Sequence, residues 1–145
     1  MAADTYPVGS TKSITLHAEG RDDAVIITAR GGARELAREL GFGVVDQTRI
    51  ATAVSEIVRN VVLYAREGDV TLSVASREDG TFGMKITVRD VGPGIPDVER
   101  LLQSGRRSGR GFGCGICGSR EMMDEFELLT QLGKGTTVRM CKWLD

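Results

Sequence analysis

The sequence is poor in the residues that build metal, redox and disulfide sites. Its 145 residues include one histidine, His17, and three cysteines. An odd number of cysteines does not fit a disulfide framework and is typical of a reducing compartment. Cys114 and Cys117 have the spacing of a redox or zinc half-site, but the chain has no second cysteine pair and His17 is distant in sequence. We therefore favour small cysteines packed near a loop, and we expect His17 to be an ordinary strand residue.

A charge of one sign and a long apolar run are also missing. Nineteen Lys and Arg oppose twenty Asp and Glu, so neither nucleic acid nor an acidic membrane surface is expected as a partner. No apolar run approaches the roughly 20 residues of a membrane span, and the N-terminus lacks the basic and then apolar order of a secretory signal. We therefore expect a single cytoplasmic domain spanning residues 1–145, with residues 1 to about 11 flexible.

Hydrophobic periodicity predicts an α+β fold with the element order β-α-α-β-β-loop-α-β-β. Gly41 is expected to end the first helix, and Asp46 is expected to cap the second. This order predicts a two-layer sandwich in which helices cover one face of a mixed or antiparallel sheet, and we expect the mixed form. The predicted strands are 13–17, 70–76, 82–89, 126–131 and 136–142; the predicted helices end at about 40, 66 and 124, with a further turn at 98–102.

Glu56 and Asn60 form a candidate site on the second helix. Their spacing of four places them on one helix face, distinct from the apolar positions that are expected to face the core. A carboxylate in a cleft can orient or deprotonate a water or a hydroxyl group, and an amide oxygen is a hard ligand that suits Mg²⁺. The alternative is that both are polar residues on a solvated helix face.

Asp90 ends an apolar strand and is followed by Gly92 and Gly94. An acid in this position can accept a hydrogen bond from an exocyclic amine, and glycines let a flat base approach the backbone closely. The alternative is an ordinary β-turn, because Asp, Pro and Gly are common turn residues.

A third segment, rich in glycine, precedes the last predicted helix. Gly111, Gly113 and Gly115 would offer backbone N–H groups and a helix N-terminus to phosphates. The segment is not a P-loop, because no Gly-Lys-Ser/Thr follows it, and a mobile glycine-rich loop is the alternative. Arg106 and Arg107, together with Arg110, either approach a phosphate or are solvated.

In their order and spacing, the segments 56–60, 90–95 and 111–116 resemble the N, G1 and G2 boxes of the GHKL ATP-binding superfamily. The later segment 133–137 resembles that superfamily's Gly-x-Gly-Thr segment, so the resemblance runs from about residue 20 to the C-terminus. The short chain is most similar to bacterial anti-sigma and switch-protein serine kinases, in particular the RsbT-type kinases of stressosomes. The segments that carry this narrower resemblance are 39–43, 46–50, 63–65, 123–126 and 142–144.

The resemblance implies a GHKL-type sandwich and Mg²⁺-ATP-dependent phosphorylation of serine or threonine on STAS-domain scaffold and antagonist proteins. It also implies that the kinase binds and activates a metal-dependent serine phosphatase, and so regulates a sigma factor in stress signalling. Two alternatives stay open. One is a nucleotide-gated binding module without catalysis, and the other is a kinase that binds a sigma factor directly.

The resemblance also assigns roles to individual residues. It implies that Glu56 is the general base, that Asn60 is the Mg²⁺ ligand and that residues 96–112 are a lid over ATP. The implied ATP contacts are Asn60, Asp90, Gly92, Gly94, Ile95, Arg110, Gly111, Phe112, Gly113, Cys114, Gly115, Ile116 and Thr136.

Two positions depart from the pattern. Leu63 stands where histidine kinases have lysine, so that contact to phosphate or substrate is absent. Ile116 and Cys117 stand where Leu-Pro or Leu-Gly is expected, and we expect Cys117 to affect the order of the lid.

Overall fold

The computed structural model describes residues 11–17, 23–65, 67–96 and 115–144. The first ten residues, the predicted turn at 98–102 and all but the first residue of the predicted lid lie outside the described residues. Within the described part, strands and helices follow the predicted order. They are β1 (Thr11–His17), α1 (Ala24–Leu40), α2 (Val44–Tyr64), β2 (Glu67–Ser76), β3 (Phe82–Asp90), α3 (Ile116–Met122), β4 (Glu125–Gln131) and β5 (Gly135–Trp143).

Helix α1 ends where the sequence predicts. Gly41 has a left-handed backbone with φ of 98°, and the following Phe42 N–H donates to the Ala37 carbonyl oxygen. This geometry satisfies carbonyl groups that the end of a helix leaves without partners. The prediction that Gly41 stops the helix is confirmed.

The predicted start of α2 is wrong by three residues. The helix begins at Val44 with Gly43 as its N-cap, and Asp46 therefore lies inside the first turn. In that position its carboxylate still interacts favourably with the positive end of the helix, and it accepts a hydrogen bond from Arg49 Nη1 at 3.2 Å. An acidic residue in the first turn and an N-cap residue are easily confused, since both positions favour aspartate.

The five strands form one sheet in the order β1-β2-β3-β5-β4, and every pairing between the described strands is antiparallel. The expected mixed sheet is therefore corrected to an antiparallel one. Two short turns make β2–β3 and β4–β5 hairpins, which pair antiparallel. The connection from β3 through α3 places β4 two positions away from β3, and β5 fills the gap antiparallel to both.

One face of the sheet, here called the inner face, is covered by the helices. Alternate residues of the strands point to it and are buried in a core shared with α1, α2 and α3, as strand periodicity requires. The core-facing residues of the three central strands are Val70, Leu72, Val74, Met84, Ile86, Val88, Val138 and Met140. None of the described helices is long and apolar enough to cross a membrane.

Candidate nucleotide site

Three polar residues lie in a row across the inner face of the sheet. Asp90 at the end of β3 pairs in register with Thr136 of β5, and Thr136 pairs with Thr130 of β4. Asp90 continues the series of alternate residues Met84, Ile86 and Val88, which are buried against the helices. Its side chain therefore points to the inner face of the sheet and not to the outer one. The sheet thus ends in a polar row where its apolar core stops.

The Asp90 carboxylate is held by one of its oxygens. Oδ1 accepts hydrogen bonds from the Gly92 N–H at 2.9 Å and the Thr136 N–H at 3.2 Å. Among the described residues, none donates a hydrogen bond to Oδ2, and the side chain is half-buried. The first bond is the turn contact expected of an aspartate two residues before an amide, so Asp90 is a turn residue. The same contacts hold the carboxylate in place and leave Oδ2 able to accept a hydrogen bond.

Gly92 and Gly94 are required by packing against protein atoms. A Cβ at Gly92 would lie 2.7 Å from the Cβ of Ala65, which follows α2. At Gly94, where φ is 81°, a Cβ would lie 2.6 Å from the Gln131 carbonyl oxygen. The turn after Asp90 is therefore pressed between the end of α2 and the β4–β5 hairpin, a role for these glycines that the sequence did not indicate.

Thr130 is a member of this site that the sequence analysis missed. Its hydroxyl oxygen accepts the Ile95 N–H at 2.9 Å and lies 2.9 Å from the Thr136 hydroxyl oxygen. It thereby joins the turn after Asp90 to two strands. One sequence pattern could have pointed to it: Thr130 continues the inward-facing series of Phe126 and Leu128, so a hydroxyl occupies a position where the strand would otherwise place an apolar residue.

Glu56 and Asn60 lie on α2 at the border between core and solvent. Both are half-buried, between the buried Ile57 and Val61 and the exposed Arg59. Within the described part of the chain, neither side chain makes a hydrogen bond or an ion pair. Their functional groups are therefore not committed to a structural contact there.

The order of these groups along α2 follows from helix geometry. Ala65 contacts the turn after Asp90, so Asn60 lies about 7 Å and Glu56 about 13 Å farther along the helix axis, at 1.5 Å per residue. The helix therefore carries an amide and then a carboxylate, in that order, away from the Asp90 end of the sheet.

The third predicted segment is only partly described. Arg106, Arg107, Arg110, Gly111, Phe112, Gly113 and Cys114 lie outside the described residues. Gly115 has φ of 64° and precedes α3. The side chains of Ile116 and Cys117 are buried, so the two residues that depart from the expected pattern pack inside the domain.

Helix α3 is fixed to α2 by a buried hydroxyl. Ser119, which is fully buried, has its hydroxyl oxygen 3.0 Å from the Gly115 carbonyl oxygen and 3.3 Å from that of Ala53 on α2. The start of α3 is thereby placed beside the helix that carries Glu56.

Comparison with known protein families identifies the domain. Residues 21–142 match the model of the histidine kinase-like ATPase domain. The chain belongs to the histidine kinase-like ATPase family. Membership of this family confirms the superfamily inferred from the order of the motifs and implies that the domain uses ATP.

Two groups of relatives are similar to this ATPase-family chain along most of its length. It is 46% identical over 120 residues to the serine/threonine-protein kinase RsbT of Bacillus subtilis, covering 82% of this chain and 89% of that protein. It is 32% identical over 121 residues to the anti-sigma F factor of a Thermoanaerobacter species, covering 80% and 83%.

A solved structure supports the fold alone. A chain in the crystal structure of the SiaB-SiaC complex from Pseudomonas aeruginosa superimposes with a TM-score of 0.54 at 12% identity. The match covers 99% of this chain and 94% of that one. The α+β architecture predicted from the sequence is confirmed.

Proposed function

We propose that this protein is an ATP-dependent serine/threonine kinase that phosphorylates STAS-domain scaffold or antagonist proteins in sigma-factor stress signalling. The observation that carries the proposal is the order of three groups, counted from the end of the sheet outward along α2. The fixed carboxylate of Asp90 lies at the end of the sheet, the uncommitted amide of Asn60 follows on α2, and the uncommitted carboxylate of Glu56 lies farther along the same helix. The similarity to the kinase RsbT supports the same function.

Asp90 is the group proposed to recognise adenine. Its Oδ1 is occupied by two backbone amides, so Oδ2 is the oxygen that accepts a hydrogen bond from the exocyclic amine of the base. A hydrogen bond to a charged acceptor contributes more than one between neutral groups. Gly92, Gly94, Ile95 and Thr136 would line the base.

The phosphates would then extend along α2 toward Asn60 and Glu56. Asn60 fits a magnesium ligand, because its amide is half-buried and uncommitted within the described part and because Mg²⁺ prefers a few oxygen ligands. When bound, Mg²⁺ would neutralise charge on the phosphates. Arg110, Gly111, Phe112, Gly113, Cys114, Gly115 and Ile116 are proposed to contact the phosphates from the lid and the start of α3.

Glu56 is the proposed general base. Its carboxylate would orient the serine or threonine hydroxyl of the protein substrate and accept its proton as the oxygen attacks the γ-phosphate. The phosphorus–oxygen bond to the β-phosphate then breaks, and ADP leaves. Phosphoryl transfer is achieved mainly by positioning and electrostatics, so a small set of residues suffices.

The protein substrate is proposed to dock in a groove between the start of α1 and the end of α2. The groove has a volume of about 520 Å³. Ile27 and Leu63 are exposed there, at 60% and 45%, beside Arg30 and Arg59. Arg30 and Arg59 outnumber the one carboxylate in the lining, that of Asp23, so the groove complements an acidic, partly apolar protein face. Leu63, which replaces the lysine of histidine kinases, would thus serve docking.

A direct test measures transfer of phosphate to a STAS-domain partner by intact mass after incubation with Mg²⁺-ATP. Glu56→Gln should slow transfer by about 100-fold or more, the usual contribution of a general base, while the partner still binds. Glu35→Gln, on the exposed side of α1, is the matched control and should leave the rate unchanged. Full transfer by Glu56→Gln would refute the assignment.

The docking groove has its own control. Ile27→Glu should weaken partner binding by about tenfold or more, as for the loss of a central apolar contact, and should leave ATP affinity unchanged. Val44→Glu changes a similarly exposed apolar residue at the start of α2, the end that lies away from the groove, and should leave partner binding unchanged. Equal losses in both variants would place docking elsewhere.

A second candidate function is supported by the similarity to anti-sigma F factors. In this case the protein would bind a sigma factor directly, or act as a nucleotide-gated module that activates a metal-dependent serine phosphatase. Pull-down with sigma factors, and phosphatase activation by Glu56→Gln, separate these outcomes from catalysis. Activation that persists in Glu56→Gln, with no phosphate transfer by the wild type, would favour the binding module.

A further inference from the structure

Gly31 lies in the middle of α1, at a position where the fold does not require a glycine. Its backbone is helical and does not have a positive φ, so other residues could adopt it. Apart from its chain neighbours and the adjacent backbone of α1, no atom of the described residues lies within 4 Å of a Cβ built there. Because glycine is less favourable than alanine inside a helix, this residue weakens α1 without serving the packing of the described domain.

Gly31 also lies at the centre of the exposed face of α1. The buried residues of this helix include Ala29, Ala33 and Leu36, and at 3.6 residues per turn their mean direction is opposite to that of Gly31. Ile27, which is 60% exposed and lines the docking groove, lies one turn before it. The surface of α1 beside the groove therefore has a gap at the position where a side chain would project outward.

A row of arginines runs beside this gap. Arg30, Arg34 and Arg38 are spaced four residues apart, so they form one ridge along the helix surface, while Glu35 and Glu39 lie on the other flank. All three arginines are exposed, and within the described part of the chain none of them forms an ion pair. Like charges at this spacing oppose helix formation. The ridge thus also weakens the isolated helix, and its charge complements an acidic ligand.

We propose that an acidic segment of the protein substrate packs directly over Gly31 and pairs with Arg34 and Arg38. This inference rests on the proposed kinase function and extends the docking groove along α1 from Ile27 to Arg38. The gap lets the substrate come close to the helix, because the side chains at a contact set the distance between packed elements. The arginines beside the gap then pair with the acidic groups. Two features that weaken α1 in the free protein thereby serve the complex.

Two substitutions at Gly31 separate the fold from docking. Gly31→Ala and Gly31→Gln both place a better helix former in α1, so each should raise the midpoint of thermal unfolding by about 3 °C. Binding is measured by calorimetry with the STAS-domain protein that the wild-type protein phosphorylates in the intact-mass assay. Gly31→Gln fills the gap and should weaken that binding by about tenfold or more. Thr48→Gln, at an exposed position of α2, is the matched control and should leave binding unchanged.

Salt dependence tests the charge of the ridge. The double variant Arg34→Gln and Arg38→Gln should bind the same STAS-domain protein about tenfold more weakly than the wild type at low salt. The difference should shrink at about 0.5 M salt, where exposed charges are screened. Arg139→Gln removes another exposed arginine, on the outer face of β5, and should leave binding unchanged.

A lower unfolding midpoint in Gly31→Ala would show that the fold itself needs the glycine and would overturn the inference. Wild-type affinity in Gly31→Gln or in the double arginine variant would overturn it as well. If Ile27→Glu weakens binding in that case, the docking groove stands and only its extension along α1 fails. If the wild-type protein phosphorylates no STAS-domain protein, the proposed function fails, and this inference fails with it.

Discussion

The two ends of the sheet each hold an aspartate that accepts two hydrogen bonds from the chain, but the two carboxylates accept them differently. At one end Asp124 accepts with both oxygens, from Lys142 Nζ at 3.3 Å and from the Trp143 N–H at 2.8 Å. At the other end Asp90 accepts twice with Oδ1, and its Oδ2 receives no hydrogen bond from the described residues. Both oxygens of the first carboxylate are engaged by the fold, whereas the second carboxylate keeps one oxygen for a ligand.

The residues around Asp124 are also paired with one another. Lys142 also lies 3.8 Å from Asp46 at the start of α2, so the Asp124 end ties a helix to the sheet by ion pairs. The Trp143 ring at that end is covered by the Arg77 guanidinium at 4.5 Å, and its indole N–H donates to Glu125. A network in which every group has a partner stabilises the fold, whereas one with an unused acceptor is suited to binding.

The largest expected effect is a loss of stability from disturbing the close backbone contact between Gly135 and Asp90. A Cβ at Gly135 would lie 2.1 Å from the Asp90 carbonyl oxygen, and φ there is 133°. Gly135→Ala should therefore reduce the free energy of unfolding by about 3 kcal/mol, through backbone strain and overpacking. Chemical denaturation checks this value.

Gly133 provides the matched control for that variant. It also has a positive φ, of 78°, but among the described residues beyond its two chain neighbours no atom lies within 4 Å of a Cβ built there. Gly133→Ala should cost about 1 kcal/mol, from backbone strain alone. Equal losses at the two positions would show that the close approach to Asp90 is unimportant.

The second expected effect separates the two carboxylates directly. Asp90→Asn should lower ATP affinity by about 10- to 100-fold, the effect of losing a hydrogen bond to a charged group, with little change in stability. Asp124→Asn should leave ATP affinity unchanged and lower stability by about 1 kcal/mol, because its carboxylate is partly exposed to solvent. Calorimetric titration and thermal unfolding of both variants test the comparison, and a loss of ATP affinity in Asp124→Asn would break it.

The smallest expected effect concerns Cys141 at the Asp124 end. Burial, together with the nearby Glu125 and Asp124 carboxylates, raises the pKa of its thiol to about 12. The folded protein therefore keeps a proton that the unfolded chain loses above its ordinary pKa of 9.0. Stability contributed by this thiol is present below pH 9 and falls as the pH rises from 9 toward 12.

Alkylation gives a simple readout of the same shift. Because the thiolate is the reactive form, Cys141 should react with iodoacetamide at pH 9 far more slowly than glutathione does, as judged by peptide mass spectrometry. Comparable rates would show that the thiol is neither buried nor electrostatically perturbed in solution.

Local patterns in the sequence were sufficient to predict most of the elements, and pairing across the sheet was not. Alternation of apolar residues predicts β3 and β5 closely, and Gly41 predicts the end of α1, because both depend on neighbours in sequence. The pairing of Asp90 with Thr136 depends on the register of β3 and β5, which are distant in sequence and whose pairing no local pattern specifies. The inward-facing position of Thr130 does follow from the alternation along β4, but its contact with the Ile95 N–H joins residues that no local pattern brings together.

The errors have physical causes of the same kind. The residue type alone assigns Asp46 to a cap, because N-cap and first-turn positions both favour aspartate, and only backbone geometry distinguishes them. The mixed sheet was expected because the sequence does not show that β5 enters between β3 and β4. The motifs identified the family, since their order along the chain is itself a sequence property.

Phosphorylation of a STAS-domain partner with two nucleotides tests the central claim most directly, namely that recognition of the base by Asp90 serves phosphate transfer. Transfer is measured by intact mass with ATP and with purine riboside triphosphate, which lacks the exocyclic amine. We predict that the wild-type protein transfers phosphate at least tenfold more efficiently from ATP, as for the loss of one charge-assisted hydrogen bond, and that Asp90→Asn removes this preference. Equal efficiency with the two nucleotides in the wild-type protein would contradict the account.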